Sequence, residues 1–488
     1  MIESGGLKGT AVNGMMWALV ERFSVQGVVF LLDLVIARII GPDSYGLIAM
    51  LAIFMAVSQV FIDGGFSNAL IQCKDRTERD YSTVFWVNIV ISVVVYGTLW
   101  IAAPYIASFY NQPLLSPITR VYSLNLVINS LVAVNRTRLM VAVDFKTQSK
   151  ISFWSAALAG VAGVVMAWMG LGVWALVWQA IVLAVLNVAL SLWLVRWLPR
   201  HGFSTASFKK LFGFGGKLLA ASLISALYSK LYDMVIGKRF DRGALGLYSR
   251  ADKFNQFASS NIGGVLSRVA FPVLSRIQDD DERLRVAYRK YMQVSALVVF
   301  PLIMGLCGVA RPLIELLLGD EWMGCVPLLQ ILSLAYVWDI VILVNLNLIY
   351  VKGRSDAVLK LEIVKKCIAI GILLLTLPFG LIVICAGRVV YSLIALYLNT
   401  IYTRRLLDYG FITQMRELLP MILMTTVITL VALTLSATVE NAVGSLVASL
   451  IVCPILYVAM CKIGKVEAYN ELLHIIKNKL QRNDLKNS

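Results

Sequence analysis

Three polar residues share one face of the first long apolar stretch of the chain. Arg22, Gln26 and Asp33 are separated by four and then seven residues, the spacing that aligns side chains along an α-helix. A lone charge in an apolar medium is costly, so such residues need a partner or contact with water. An arginine binds phosphate through two parallel hydrogen bonds, and a carboxylate binds a proton or a cation. This face therefore predicts anion binding and ion binding within an apolar environment.

Polar residues at helical spacing also occur in the fourth, seventh and eighth apolar stretches. They cannot face lipid, so they line either contacts between helices or a hydrated cavity. Their presence in both halves of the chain favours the cavity, while a simple hydrogen bond between helices stays open for any single residue. The residues predicted to bind substrate in a cationic cavity are Arg22, Gln26, Asn125, Asn129, Arg136, Lys230, Gln256 and Arg268.

Five carboxylates are candidates for coupling to a proton or sodium ion. Asp33 and Asp233 are the leading pair, followed by Glu21, Asp63 and Asp252. Lys230 lies three residues before Asp233, which predicts an ion pair on one helix face. The alternative for Asp33 and Asp233 is structural, as matching aspartates that tie together the outer edge of each helix bundle.

Several further cations lie within or near the apolar stretches without a partner that the sequence identifies. Those close to the ends of a stretch, such as Arg120 and Lys217, are expected to extend toward the membrane interface. The others are interpreted as isolated cationic groups, and they are Lys253, Lys365, Lys366 and Arg388.

Composition indicates the kind of element that carries these residues. The chain has 488 residues, of which 59% are hydrophobic and only 15% are charged, whereas soluble domains have about a quarter charged residues. Apolar runs of about 20 residues cross a bilayer as helices, and barrel strands would be shorter and alternating. We expect an all-α integral membrane protein with about fourteen spans, near 12–37, 45–70, 82–107, 116–138, 150–169, 173–195, 213–236, 246–272, 291–310, 326–350, 361–377, 380–402, 417–437 and 442–461.

The distribution of Lys and Arg predicts the orientation. Most of the 44 basic residues fall in alternate loops and in the C-terminal tail, and short cytoplasmic loops collect such residues. Both termini are therefore placed in the cytoplasm, although the outside loop at 237–250 is basic and breaks the pattern. The net charge of +16 follows from this bias, so the expected partner is anionic lipid and no nucleic acid is expected.

The sequence repeats itself weakly with an offset of 200 to 210 residues. Asp33 aligns with Asp233, and Gly46 aligns with Gly246. This predicts two six-helix bundles in the same orientation, related by a pseudo-two-fold axis along the membrane normal, with a cavity between them. The expected divisions are an N-terminal lobe at 1–200, a C-terminal lobe at 201–410, two additional helices at 411–462 and a cytoplasmic tail at 463–488.

Common catalytic and metal-binding patterns do not occur in the sequence. Its two histidines, His201 and His474, lie in segments predicted to be cytoplasmic, and its seven cysteines are scattered without paired spacing. The stretch GFGGKLL at 213–219 is similar to the end of a phosphate-binding loop, but Leu218 stands where Ser or Thr would bind magnesium. We therefore expect no enzymatic activity, no cofactor and no metal site.

Four segments resemble bacterial polysaccharide-export flippases. They are ARIIGPDSYGL at 37–47, DGGFSNALIQ at 63–72, FPVLSRIQDDDERLRVAYRKY at 271–291 and LLGDEWMGCVPLLQILSL at 317–334. These flippases belong to the multidrug/oligosaccharidyl-lipid/polysaccharide (MOP) superfamily, and the chain is most similar to the colanic acid exporter branch. The resemblance covers nearly the whole chain.

The resemblance implies a pair of six-helix bundles that flips an undecaprenyl-pyrophosphate-linked oligosaccharide across the bacterial inner membrane by alternating access. The driving force would be a proton or sodium gradient, or substrate turnover, and polysaccharide polymerase and assembly machinery are the implied partners. Three alternatives stay open. They are a drug/cation antiporter of the same superfamily, an inner-membrane polysaccharide polymerase or ligase, and a scaffold for polysaccharide synthesis.

Overall fold

The computed structural model describes the backbone of residues 3–470 and the side chains from Gln26 onward, except those of residues 214, 217 and 269. Within that part of the chain every regular element is helical. The predicted all-α class is therefore confirmed. The chain divides into two compact units, unit 1 at Met1–Gly246 and unit 2 at Leu247–Ser488.

The described residues of unit 1 form nine helices and the first residues of a tenth. Its most extensive helix–helix contacts join α1 to α6, α6 to α7, and α5 to both α3 and α7. The helices are α1 (Glu3–Asp63), α2 (Phe66–Gln72), α3 (Glu78–Tyr110), α4 (Leu115–Tyr122), α5 (Leu124–Val141), α6 (Phe145–Trp168), α7 (Val173–Val195), α8 (Thr205–Ser229) and α9 (Leu231–Arg239).

Helix α10 (Arg242–Arg276) begins in unit 1 and continues into unit 2. In unit 2, α11 packs on α17, α13 on α16, and α17 on α18. The helices that follow α10 are α11 (Asp281–Gly308), α12 (Ala310–Leu317), α13 (Cys325–Tyr336), α14 (Asp339–Val351), α15 (Ser355–Thr376), α16 (Leu381–Leu407), α17 (Phe411–Thr438) and α18 (Ala442–Ile463).

Every predicted span overlaps one of these helices or two consecutive ones. By length and hydropathy, eleven helical segments of the described residues qualify as membrane spans. The segment Gln26–Gln72 is one of them and includes a kink, whereas the more highly charged α10 and the helix α15 are outside the eleven. The structure thus has the helices of a multi-pass membrane protein. The count of fourteen spans, the cytoplasmic termini and the lobe boundaries at 200, 410 and 462 stay predictions.

Helix α1 consists of two segments that meet at Gly41. The backbone there has φ 71° and ψ 174°, a conformation that glycine adopts without steric cost. Pro42 follows and provides no amide hydrogen for the helical ladder. The break falls between the first two predicted spans, so the second segment can pack against different helices from the first.

Just after this kink, α1 crosses the start of α10 at very close range. A Cβ atom on Gly46 would lie 1.7 Å from the carbonyl oxygen of Arg242, and one on Gly246 would lie 2.0 Å from the carbonyl oxygen of Pro42. The Arg242 Nε atom is 2.8 Å from Asp43 Oδ2. The two contacts correspond to each other at the 200-residue offset of the repeat, because Gly46 is 200 residues before Gly246 and Pro42 is 200 residues before Arg242. Both contacts lie within unit 1.

The last two helices attach to unit 2 through polar contacts. Gln414 of α17 and Asn345 of α14 exchange two hydrogen bonds between their side-chain amides, at 3.0 and 2.9 Å. The Tyr288 hydroxyl of α11 also donates to Asn345 Oδ1, at 2.9 Å. On α18, Tyr457 donates to the Leu297 carbonyl at 3.0 Å. These buried groups are mutually satisfied, which fixes the register of α17 and α18 on the unit.

The crossing of α1 and α10 gives a stability prediction. We expect Gly46→Ala to destabilise the protein by about 1–3 kcal/mol, because the added methyl group would overlap the Arg242 carbonyl and force the helices apart. The midpoint of thermal unfolding in detergent measures the change.

Gly97→Ala in α3 is the matched control, because no atom lies within 4 Å of a Cβ at that glycine. The control should unfold at or above the temperature of the wild type, since alanine is the better helix former. Equal unfolding temperatures for Gly46→Ala and the wild type would contradict the close crossing.

Candidate functional site

A polar pocket of about 520 Å³ lies within unit 1, between the end of α1, α2, α5 and α8. Its apolar walls come from valine, leucine, isoleucine, alanine and methionine side chains of these helices. Its polar groups converge from four elements, as in the concave sites that bind small molecules. The polar side chains that line it are Gln59, Asp63, Ser67, Asn68, Asn129, Arg136, Thr137 and Ser222.

Arg136 is the cation of this pocket. Its side chain is exposed, and no described residue accepts a hydrogen bond from its guanidinium. The group retains five N–H donors in a planar arrangement that matches a phosphate or carboxylate. An arginine in this state is available to an anionic ligand.

Asp63 provides the opposite charge in the pocket. The carboxylate accepts a hydrogen bond of 3.1 Å from Gln59 Nε2, one helical turn earlier, and it is attracted electrostatically by Arg136. The pocket therefore combines one guanidinium with a carboxylate and several amides. This set can bind an anion and hydroxyl groups together.

The spacing within α5 places its polar residues on one side. Asn129 and Arg136 are seven residues apart, or two helical turns, so both reach the pocket. The Asn129 amide donates to the side-chain oxygen of Asn125, which lies one helical turn earlier and further from Arg136. Asn125 therefore orients Asn129.

A second cavity of about 20 Å³, the size of one water molecule, lies beside Arg136. It is lined by Gln148 and Asn187, among others.

A close approach between α2 and α8 forms one wall of the pocket. A Cβ atom on Gly65 would lie 2.4 Å from the carbonyl oxygen of Gly215, and the φ angle of Gly65 is +71°. Glycine at both positions lets the two backbones touch. This contact brings Ser222 of α8 to the same pocket as Asn68 of α2.

Asp33 lies outside the pocket and is buried, with 8% of its surface exposed. The Tyr45 hydroxyl lies 2.9 Å from both the carboxylate Oδ1 and the carbonyl oxygen of Asp33. Because Tyr45 follows the kink at Gly41 and Asp33 precedes it, this hydrogen bond joins the two segments of α1.

Asp233 forms the predicted ion pair with Lys230, at 3.2 Å between Nζ and Oδ2. Lys230 lies at the junction of α8 and α9, and Asp233 is in the first turn of α9. The carboxylate also interacts electrostatically with the Tyr110 hydroxyl. Neither member of the pair lines the pocket, so the structure does not bring Lys230 to Arg136.

Asp252 pairs with Arg388 in unit 2, at 2.5 Å between Oδ1 and the guanidinium. The interpretation of Arg388 as an isolated cation is therefore wrong. It is also wrong for Lys365, which forms an ion pair with Glu362 on α15. Tyr248 and Tyr336 also contact the guanidinium, at 2.8 and 3.3 Å. The partner was not evident because Asp252 and Arg388 are 136 residues apart.

The other predicted site residues lie apart from the pocket. Gln26, Gln256 and Arg268 have exposed side chains and line neither cavity described here. Glu21, Arg22 and Lys217 lie outside the described side chains. Of the predicted residues, the structure therefore brings together Asp63, Asn129 and Arg136, with Asn125 supporting them.

Sequence reasoning missed Gln59, Asn68 and Tyr45. The four-residue interval between Gln59 and Asp63 is the signal that could have identified the first of these. Asn68 and Tyr45 follow breaks in the helices, where periodicity fails to assign a face.

A comparison with protein families identifies the group to which the sequence belongs. The family described as "Polysaccharide biosynthesis protein" matches residues 35–327, which is more than half of the chain. Among curated relatives, the teichuronic acid biosynthesis protein TuaB of Bacillus subtilis (strain 168) is 28% identical over 61% of this chain and 62% of its own length. The lipopolysaccharide biosynthesis protein WzxC of Escherichia coli (strain K12) is 27% identical over 74% of this chain and 73% of its own.

Solved structures share the fold. The lipid II flippase MurJ, in an inward closed conformation, matches with a TM-score of 0.74 and 14% identity over 94% of this chain and all of its own. An inward-facing multidrug resistance MATE family transporter of the MOP superfamily matches with a TM-score of 0.60 and 14% identity, over 80% of this chain and 98% of its own. The resemblance found in the sequence is thereby confirmed. The chain is a multi-pass membrane protein that belongs to the polysaccharide biosynthesis protein family.

Proposed function

We propose that the protein is a flippase that moves undecaprenyl-pyrophosphate-linked oligosaccharide units across the bacterial inner membrane for surface polysaccharide assembly. The observation that carries the proposal is the unit 1 pocket with the available guanidinium of Arg136. The names of the relatives, which refer to teichuronic acid, lipopolysaccharide and lipid II, support this class of substrate.

The chemistry of the pocket matches both polar parts of such a lipid. A pyrophosphate is an anion with oxygens at the spacing that an arginine binds in bidentate fashion. Sugar hydroxyls both donate and accept, so they suit Asp63, Gln59 and the asparagines of the pocket. The volume of about 520 Å³ holds the pyrophosphate and part of the oligosaccharide, while the polyprenyl tail stays in the lipid.

The proposed orientation explains how the head group enters. With the N-terminus in the cytoplasm, the second segment of α1 runs inward and ends at Asp63, and α5 runs inward and ends at Val141. Arg136 is five residues from that end, or about 7–8 Å along the helix. The pocket then lies in the cytoplasmic half of the membrane, where the lipid-linked unit is made available.

The crossing of α1 and α10 supports alternating access. Gly46 lies 17 residues from Asp63, or about 25 Å along the helix, so the close contact and the pocket are at opposite ends of one segment. In the proposed orientation the contact is on the outer side. Its reciprocal pattern at the 200-residue offset supports the proposed pseudo-two-fold relation, and release of the substrate outward would require this contact to open.

Ion coupling is proposed at Asp33. Protonation of its carboxylate would remove the negative charge that the Tyr45 hydroxyl stabilises, and so change the connection across the Gly41 kink. Glu21, Asp63, Asp233 and Asp252 are retained as further candidates for coupling, and Gln26, Lys230, Gln256 and Arg268 as candidates for substrate contact elsewhere along the path.

The first functional prediction concerns Arg136. Arg136→Gln should weaken the binding of undecaprenyl pyrophosphate roughly 10- to 100-fold, because charge-assisted hydrogen bonds contribute about 1.5–3 kcal/mol. Arg136→Lys should give a smaller loss, since the charge stays and the bidentate geometry is lost. Binding is measured with purified protein in nanodiscs.

Arg311→Gln, an exposed arginine of α12 that lines neither cavity, is the control and should bind as the wild type does. Equal affinities for Arg136→Gln and the control would remove Arg136 from the anion site. Tighter binding of cationic dyes than of the pyrophosphate lipid by the wild type would favour the drug/cation antiporter.

The second functional prediction concerns Asp33. In cells, Asp33→Asn should abolish surface polysaccharide at a normal level of protein in the membrane, because the amide keeps the shape of the carboxylate but cannot be ionised. Tyr45→Phe should reduce export without abolishing it. Surface polysaccharide and an immunoblot of membranes provide the two measurements.

Asp279→Asn is the matched control, because Asp279 is an exposed residue of the turn before α11. Normal export by Asp33→Asn would show that Asp33 has no part in the mechanism.

A further inference from the structure

The second cavity of unit 1 shares a wall with the pocket. Val132 and Arg136 of α5 line both spaces, so Arg136 lies between the pocket and the second cavity. The planar guanidinium has five N–H donors. A bidentate bond to an anion in the pocket uses two of them, which leaves three for groups in the second cavity.

The other polar groups of the second cavity come from α6 and α7. Helix α6 contributes Gln148 and Ser152, and α7 contributes Asn187 and Ser191. Each pair is four residues apart, so its two members lie on the same face of their helix. Asn187 and Ser191 are 9% and 4% exposed. Polar side chains of two helices therefore converge on the space beside the arginine.

Gln148 has a buried acceptor in need of a donor. Its side-chain Oε1 atom is buried and accepts no hydrogen bond from a described residue. The Asn187 amide, in contrast, donates to the Leu183 carbonyl at 2.9 Å. An unpaired buried acceptor is unfavourable, and native proteins commonly pair such groups with ordered water.

One water molecule would satisfy both Gln148 and Arg136. The cavity of about 20 Å³ is large enough for one water, and it provides the two to four polar partners that a bound water requires. The water can accept a hydrogen bond from the Arg136 guanidinium and donate one to Gln148 Oε1. A chloride ion would balance the charge of Arg136, but it has no hydrogen to donate and would leave Oε1 unpaired.

The turn between α5 and α6 places the two residues at a similar height. Arg136 is five residues before the end of α5, and Gln148 is the fourth residue of α6. Asp144 caps α6, because its carboxylate accepts hydrogen bonds from the Thr147 amide at 3.1 Å and from the Thr147 hydroxyl at 2.7 Å. This cap fixes the first turn of α6, to which Gln148 belongs.

We propose that an ordered water molecule in the second cavity joins Arg136 to Gln148 and holds the guanidinium toward the pocket. Gln148 is then a positioning residue of the anion site, because it does not line the pocket and acts on an anion through the arginine. An exposed arginine loses conformational freedom when it binds a ligand, and this loss weakens binding. The water and Gln148 impose part of this order before the ligand arrives.

The effect on anion binding rests on the proposed function, and a double-mutant cycle with undecaprenyl pyrophosphate and the full-length protein in nanodiscs measures it. Gln148→Met keeps the length of the side chain and removes the acceptor, so it should weaken binding about 3- to 10-fold. In the Arg136→Gln background the same change should have no effect, because the group that Gln148 positions is gone. Gln179→Met is the matched control and should bind as the wild type does, since Gln179 is a half-buried glutamine of α7 that lines neither cavity.

The order of the Arg136 side chain is measured without any ligand. In protein with ¹⁵N-labelled arginine, the Nε–H signal of Arg136 is identified by its loss in Arg136→Gln. Its NMR order parameter should fall below about 0.6, the range of flexible groups, in Gln148→Met and stay above it in the wild type and in Gln179→Met. Gln148→Glu retains an acceptor oxygen and should keep the group ordered, which provides a second variant if Gln148→Met fails to fold.

Three results would overturn the proposal. They are equal weakening of binding by Gln148→Met in both backgrounds, an order parameter for Arg136 that is unchanged in Gln148→Met, and a disordered Arg136 in the wild type or in Gln148→Glu. An ordered Arg136 that depends on Gln148, in a wild type that fails to bind the pyrophosphate lipid, would refute the proposed function alone.

Discussion

An ionised side chain within a bilayer requires a counter-charge, hydrogen bonds or water, because the apolar medium provides none of these. Four of the described acids inside the apolar spans of this chain follow that requirement. Asp33 contacts the Tyr45 hydroxyl, Asp233 pairs with Lys230 and Asp252 pairs with Arg388. Asp63 opens to the unit 1 pocket and faces Arg136. For Asp33, Asp63 and Asp252 the partner sits on another helix or helical segment, so these pairs solvate the charges and also fix how the helices pack.

Backbone contacts impose a second constraint, which acts on the glycines. Where α1 meets α10 and α2 meets α8, carbonyl oxygens occupy the space that a Cβ would need at Gly46, Gly246 and Gly65. Close approach of this kind drives association between membrane helices, because burial of apolar surface provides no force within lipid. The pocket wall and the crossing of α1 and α10 thus depend on small residues, and these contacts position the polar residues of the pocket.

The sequence predicted the helices well because each span is a continuous apolar run, and hydropathy is a local property. It also found Asp63, Asn129 and Arg136 one by one, since helical spacing marks each as a polar residue within a span. It could not assemble them, because the kink at Gly41 and the break before α2 rotate the chain in ways that periodicity does not encode. For the same reason it grouped Arg136 with Lys230 and Arg268, which the structure places outside the pocket. Arg388 was misjudged because its carboxylate is 136 residues away.

Arg136 and Arg388 show how neighbours give one residue type opposite roles. The guanidinium of Arg388 is held by Asp252 and two tyrosines, so its donors are committed to the protein. The guanidinium of Arg136 faces a pocket in which Gln59 already bonds the nearby carboxylate of Asp63. The hydrogen bond from Gln59 satisfies one oxygen of the Asp63 carboxylate. The guanidinium of Arg136 donates no hydrogen bond to a described residue, so its donors stay available in the pocket. The same residue type is therefore open to the pocket in unit 1 and held by neighbouring side chains in unit 2.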